Sequence, residues 1–94
     1  MAKEVPPMNV LVVDDDKAIC EFMETFLSAE GYFVKTRSEA DGGMPIEDDI
    51  RTGGYHLVIL DLMMPRVDGI ETLKRIRRVD KDVAVVIFTG HPTI

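Results

Sequence analysis

Residues 8–16 read MNVLVVDDD, an apolar run that stops at three consecutive aspartates. Short runs without polar alternation suit strands of a parallel sheet covered on both faces. Two more runs share this design: LVIL at 57–60, which ends at Asp61, and VAVVIF at 83–88, which ends at Thr89. Tyr32–Thr36 reads as a further strand. Between the strands the period changes. Ile19, Phe22, Met23, Phe26 and Leu27 share one helical face within Lys17–Glu30, with Asp16 placed to cap its start and Gly31 its end. Asp68 and Glu71 have capping-box spacing ahead of a helix with Ile70, Leu73 and Ile76 on its apolar face. Arg75, Arg77 and Arg78 fall near the C-terminus of that helix, where the dipole favours cations, and read as a solvated end. The glycine-rich stretch 38–54 predicts only a short or irregular helix, with Pro45 at its first position and Ile46 and Ile50 on one face.

Four strands separated by helical patterns imply βαβ units, an α/β class and right-handed crossovers. In such sheets the ligand site lies off the carboxyl ends of the strands, where strand order reverses. The residues placed there are Asp14, Asp15 and Asp16 after strand one, Asp61 after strand three and Thr89 after strand four.

Composition narrows the class. Ninety-four residues make one small domain, and 46% apolar with 30% charged residues is the balance of a soluble globular protein. A net charge of −6 argues against a nucleic-acid surface over the whole domain and suits one that handles cations. The longest apolar run, Val83–Phe88, falls far short of the ~20 residues that span a membrane. Met1–Pro7 lacks the pattern of a signal peptide. The single cysteine, Cys20, excludes an internal disulfide and a multi-cysteine zinc site and points to a reducing compartment. It falls beside the apolar stripe of the first helix and reads as a packing or partly exposed residue, not a catalytic one. Lone His56 and His91 and the pair Met63–Met64 read as ordinary loop residues.

The carboxylates carry the chemistry. If strands one and three are neighbours, Asp14, Asp15 and Asp61 converge and repel, unless a divalent cation offsets the charge. All-oxygen donors suit Mg²⁺ or Ca²⁺ rather than zinc, and the EF-hand pattern is absent. Asp16 is explained by helix capping alone. Asp61 is not, since it follows four apolar residues and precedes three more. Beside a bound cation, an aspartate can act as nucleophile toward phosphorus.

The runs VLVVDDD (10–16), LVILDLMMPRVDG (57–69) and VIFTG (86–90) resemble the receiver domain of two-component response regulators over residues 8–94. The resemblance implies a flavodoxin-like doubly wound parallel sheet, its four strands here in the order 2-1-3-4. It implies that Asp61 accepts a phosphoryl group from a sensor histidine kinase or phosphotransfer protein in the cytoplasm. Asp15 and Asp61 would bind Mg²⁺ directly, Met63 through its backbone carbonyl, and Asp14 through water. Thr89 would be the switch hydroxyl, and Pro65 and Gly69 the rigid loop and tight turn beside the site. The family also carries a lysine at the end of a fifth strand, with a helix on either side. No lysine here matches it, the last being Lys81.

The sequence therefore reads as a partial receiver domain at 8–94, lacking the fifth strand and last two helices, behind a disordered tail at 1–7. Uncharged VAVVIF would then be an open edge, through which copies are expected to pair or swap segments. The function expected is a phosphorylation-controlled switch, with no turnover of outside substrates and no direct contact with nucleic acid or membrane. Three alternatives compete. A haloacid-dehalogenase-like phosphatase needs an acid where Met63 stands. A flavodoxin-like cofactor site needs phosphate donors where three aspartates stand. A receiver-like interaction module that works without phosphorylation would keep the fold alone.

Overall fold

The structure, a computed structural model, describes residues 7–39, 43–65 and 67–88. Residues 1–6 of the expected tail, together with Thr89 and His91, lie outside the described residues. The strands are β1 (Asn9–Val13), β2 (Phe33–Arg37), β3 (Leu57–Asp61) and β4 (Ala84–Phe88). All pair in parallel, in the order β2-β1-β3-β4, which is the expected flavodoxin-like arrangement. Between them run α1 (Lys17–Ala29), α2 (Ile46–Gly53) and α3 (Gly69–Val79).

The main core forms on one face of the sheet. Leu11 and Val13 of β1 and Val58 and Leu60 of β3 meet Ile46 and Ile50 of α2 and Ile76 of α3. Strand side chains alternate in direction, so Val10 and Val12 point to the other face, where they are buried as well. Both sides of β1 are thus covered, as its unbroken apolar run requires.

Helix ends follow their capping chemistry. The Asp16 carboxylate accepts from the amides of Ala18 (2.9 Å) and Ile19, and that of Asp68 from Ile70 (2.9 Å) and Glu71. Gly31, at φ 99°, takes the left-handed conformation beyond α1. Gly69 is required for a different reason. A Cβ there would lie 2.6 Å from the Cα of Leu62, so the first turn of α3 packs directly on the backbone that follows Asp61.

Several expectations are corrected. Strand β2 lies one residue later than Tyr32–Thr36, because Phe33, not Tyr32, pairs with Asn9. Pro45 precedes α2 as its N-cap, with ψ 147°, instead of occupying the first helical position. The α1 stripe is only half used. Among the described residues α1 meets β1 and β2 alone. Ile19, Met23 and Leu27 are half-buried, while Phe22 (64% exposed) and Phe26 (54%) stack on each other at 6.1 Å. Ile70 is also exposed, and Thr72 is buried in its place because its hydroxyl is satisfied by the Asp68 carbonyl.

The arginines are not a solvated helix end. Arg75 forms a two-pronged ion pair with Glu47 of α2 (2.6 and 2.7 Å). Arg77 gathers the carbonyls of Asp80, Lys81 and Val83, closing the turn into β4. Arg78 alone fits the expectation, being exposed with a long contact to Glu71. Strand β4 is outermost in the described sheet, with Val86 and Ile87 about half exposed.

Candidate functional site

Strand register assembles the site. Val13 pairs with Leu60 on one side and with Arg37 on the other. One residue further along, Asp14, Asp61 and Ser38 therefore meet at the carboxyl edge of the sheet. The crossovers from β1 to β2 and from β3 to β4 leave in opposite directions at this point, which opens a crevice above the β1 and β3 ends. Asp14, Asp15, Asp16, Asp61, Met63 and Pro65 line a cleft there of about 200 Å³.

Asp14 and Asp61 are buried, at 3% and 6% exposure. Each is steered by an amide two residues on: Asp16 N–H donates to Asp14 Oδ1 and Met63 N–H to Asp61 Oδ1, both at 2.9 Å. Burial pushes the Asp14 carboxyl above its ordinary value. The Asp16 amide opposes that shift, and the neighbouring charge of Asp61 adds to it. Asp15 is held from β2, where the Ser38 hydroxyl (2.7 Å) and the Glu39 amide (3.0 Å) both donate to its Oδ1. Asp16 lines the cleft edge while its carboxylate caps α1, the role assigned from its position in the sequence. Met63 is half exposed and lines the cleft, whereas Met64 is buried in the core. Asp61 pairs with Phe88 across to β4, and the Leu62 amide donates to the Phe88 carbonyl at 3.2 Å.

The donors fit a divalent cation of the hard, oxygen-seeking kind. Buried carboxylates side by side, one with its proton affinity raised, leave uncompensated negative charge that such an ion would offset. Among the described residues no three acidic, histidine or cysteine side chains form a ready cage. One or two carboxylates completed by backbone carbonyl, water or phosphate oxygen is the Mg²⁺ pattern, not that of a structural Ca²⁺ or zinc site.

Neighbouring groups are structural. Cys20 donates its thiol to the Asp14 carbonyl at 3.2 Å. Burial, and then the aspartates at 14, 16 and 15, push that thiol up to about 11, which lowers its reactivity at neutral pH. His56 Nδ1 accepts from the Asn9 amide at 3.0 Å, fixing the strand starts at the far end of the sheet.

Two features escaped the sequence reading. One is Ser38 with the Glu39 amide. A parallel β1–β2 register, extended by two residues, is the signal that would have found them. The other is a buried ionic cluster between β2 and α2. There the Asp49 carboxylate, 4% exposed, accepts from the Tyr55 hydroxyl (2.7 Å), Arg37 (2.9 Å) and Lys35 (3.3 Å). Arg37 also donates to the Met44 carbonyl at 2.7 Å and pairs with Glu39. Nothing in the spacing of these residues announces the cluster.

Acidic residues at the ends of β1 and β3 in a 2-1-3-4 parallel sheet define a class: residues 10–94 match the response regulator receiver domain, and the chain belongs to that family. Among curated relatives, the transcriptional regulatory protein DltR of Streptococcus agalactiae is 37% identical over 83 residues, covering 88% of this chain and 36% of that protein. Among solved structures, the response regulator TrrA of Thermotoga maritima in complex with Mg²⁺ and beryllofluoride is 34% identical, with a TM-score of 0.75, covering 89% of this chain and 70% of that one. A complex of the histidine kinase ThkA with TrrA also matches, at 32% identity and a TM-score of 0.71, covering 92% of this chain and 72% of the matched one. The chain spans about 36% of the length of the curated relatives it matches. Among the described residues no helix is long and apolar enough to cross a membrane.

Proposed function

We propose that this receiver domain accepts a phosphoryl group on Asp61 from the phosphohistidine of a sensor kinase, with Mg²⁺ in the acidic cleft, and passes the change to the surface around β4. The observation that carries this reading is a buried Asp61 carboxylate, oriented by the Met63 amide and opening onto a cleft shared with Asp14 and Asp15. An Asp61 oxygen attacks phosphorus, the P–N bond to imidazole breaks, and the departing imidazole takes a proton from solvent. The product is an acyl phosphate on Asp61. A divalent cation bound there would supply charge neutralisation for the carboxylates and the incoming phosphoryl oxygens. Asp15 and Asp61 would hold it, with the Met63 carbonyl, and with Asp14 acting through water.

Asp14 and Asp61 start the reaction in mutual repulsion. A divalent cation held by these carboxylates would offset that repulsion and leave the Asp61 oxygen, oriented by the Met63 amide, facing the incoming phosphorus. Thr89 follows the residue paired with Asp61 and would bond the phosphoryl group, which links the site to β4. The domain works as a stoichiometric acceptor in a cytoplasmic relay, without turning over outside substrates. The relatives support this reading, since one solved match is a kinase complex and another carries Mg²⁺ with beryllofluoride.

Incubation with a small acyl-phosphate donor and Mg²⁺, followed by intact-mass spectrometry, tests the reading. One phosphoryl group should be added to the wild type, none to Asp61→Ala, and none after chelation by EDTA. Equal labelling of wild type and Asp61→Ala would refute Asp61 as acceptor. No labelling at all, with the fold intact, would favour an interaction module that works without phosphorylation.

A further inference from the structure

Asp14 and Asp61 are each oriented by an amide of their own loop, but Asp15 is oriented from a different strand. Two donors from the end of β2, the Ser38 hydroxyl at 2.7 Å and the Glu39 amide at 3.0 Å, converge on the same oxygen, Asp15 Oδ1. Two donors on one oxygen fix both the direction and the plane of a carboxylate.

The turn that carries these donors is itself clamped. The Arg37 carbonyl accepts from the Asp14 amide at 3.1 Å. The Arg37 guanidinium is fixed by buried Asp49, by the Met44 carbonyl and by Glu39. Arg37 is one residue from Ser38, so the hydroxyl is presented from a backbone pinned on both sides.

We propose that Ser38 is a positioning residue for the cation site: its hydroxyl, with the Glu39 amide, holds the Asp15 carboxylate in the pose that takes a divalent cation. This rests on the cation reading of the cleft given above. The carboxylate is poised before the ion arrives, and the ordering of that side chain is already accomplished by the fold. Linkage makes the effect reciprocal. A cation that immobilises Asp15 also immobilises the residues bonded to it, so occupancy is transmitted to Ser38 and Glu39 at the end of β2.

The experiment titrates Mg²⁺ alone into wild type, Ser38→Ala and Ser38→Thr, by calorimetry and by amide NMR. Loss of an outer hydrogen bond to a metal ligand typically weakens affinity about 10-fold or more, which is the change expected for Ser38→Ala. Ser38→Thr, which keeps a hydroxyl, should restore binding to near the wild-type value. Unfolding midpoints without metal should be close for all three proteins. In the wild type, Mg²⁺ should slow exchange of the Glu39 amide, and in Ser38→Ala that slowing should shrink. Wild-type affinity in Ser38→Ala overturns the inference, as does a Ser38→Thr protein as weak as the alanine variant. A folded wild type that does not bind Mg²⁺ overturns the cation reading itself and this inference with it. The two failures are therefore distinguishable.

Discussion

Replacing Asp49 by alanine should remove about 3 kcal/mol of stability, although the residue lies outside the acidic cleft. Its carboxylate is 4% exposed and accepts from Tyr55, Arg37 and Lys35. Lys35 is 59% exposed, and its bond is discounted to near zero. Tyr55 Oη and Arg37 Nη1 each make a hydrogen bond to a buried charge, worth roughly 1.5–3 kcal/mol. Arg37 keeps the Met44 carbonyl and Glu39 after the substitution, so the sum falls toward the lower limit, near the ~3 kcal/mol usual for breaking a buried pair from one side. A domain of 94 residues has roughly 5–14 kcal/mol in total, at about 0.05–0.15 per residue. The loss should therefore lower the urea midpoint by about 1–3 M, with a slope of roughly 1–3 kcal/mol per molar.

Far-UV circular dichroism during urea titration measures it, and Asp49→Asn serves if the alanine variant is too weak to fold. Tyr55→Phe completes a cycle in which the double variant should lose at least about 1 kcal/mol less than the sum of the single ones. The pH dependence has a fixed sign. Burial alone would raise the Asp49 carboxyl, but the bonds from Tyr55, Arg37 and Lys35 outweigh it and leave the carboxyl below its ordinary value. A depressed carboxylate contributes stability that is present above the unfolded pKa, about 3.9, and lost as pH falls through the folded one. The gap between wild type and Asp49→Asn should hold at neutral pH and narrow in acid. An alanine variant within 1 kcal/mol of wild type, or a strictly additive cycle, would refute the reading that these bonds to Asp49 hold α2 against β2.

Asp14→Asn should stabilise the protein at neutral pH in EDTA. A raised folded pKa means that ionisation costs stability as pH rises, so the difference in melting temperature should vanish below the unfolded pKa of about 3.9. Gly69→Ala should cost about 1–3 kcal/mol in urea titrations, because its Cβ meets the Leu62 backbone, and should weaken Mg²⁺ binding by displacing the loop after Asp61. Cys20, pushed up to about 11 from an ordinary value of 9.0, should react with an aromatic disulfide reagent near pH 7.5 about 100-fold more slowly than an unperturbed thiol. Full-rate labelling in the folded state would contradict its burial against Asp14.

What the sequence reveals here depends on distance along the chain. Strands, caps and the acidic ends are local, so Asp16, Asp68 and the run into Asp61 could be read from a few neighbours. The meeting of Asp14 with Asp61 needed one further assumption, that β1 and β3 are adjacent, and parallel pairing made it correct. Where exposed apolar residues fall could not be read this way. The stripe containing Phe22 and Phe26 is identical in pattern whether a second layer covers it or not, and the described sheet offers α1 only β1 and β2. Arg75 illustrates the same limit for charge. A helix-end arginine and a helix–helix clamp look alike until Glu47, 28 positions away, is brought to 2.6 Å by the packing of α2 on α3. That clamp holds Glu47 down to about 2, the Arg75 bond being the leading cause. Together with Asp49 it ties the helix that sequence patterning reads least well to α3 and to β2. Within 38–54, Glu47 and Asp49 are held by ion pairs to other elements, which leave no periodic trace in the sequence, and Ser38 at its start is bonded to Asp15 of the acidic cleft.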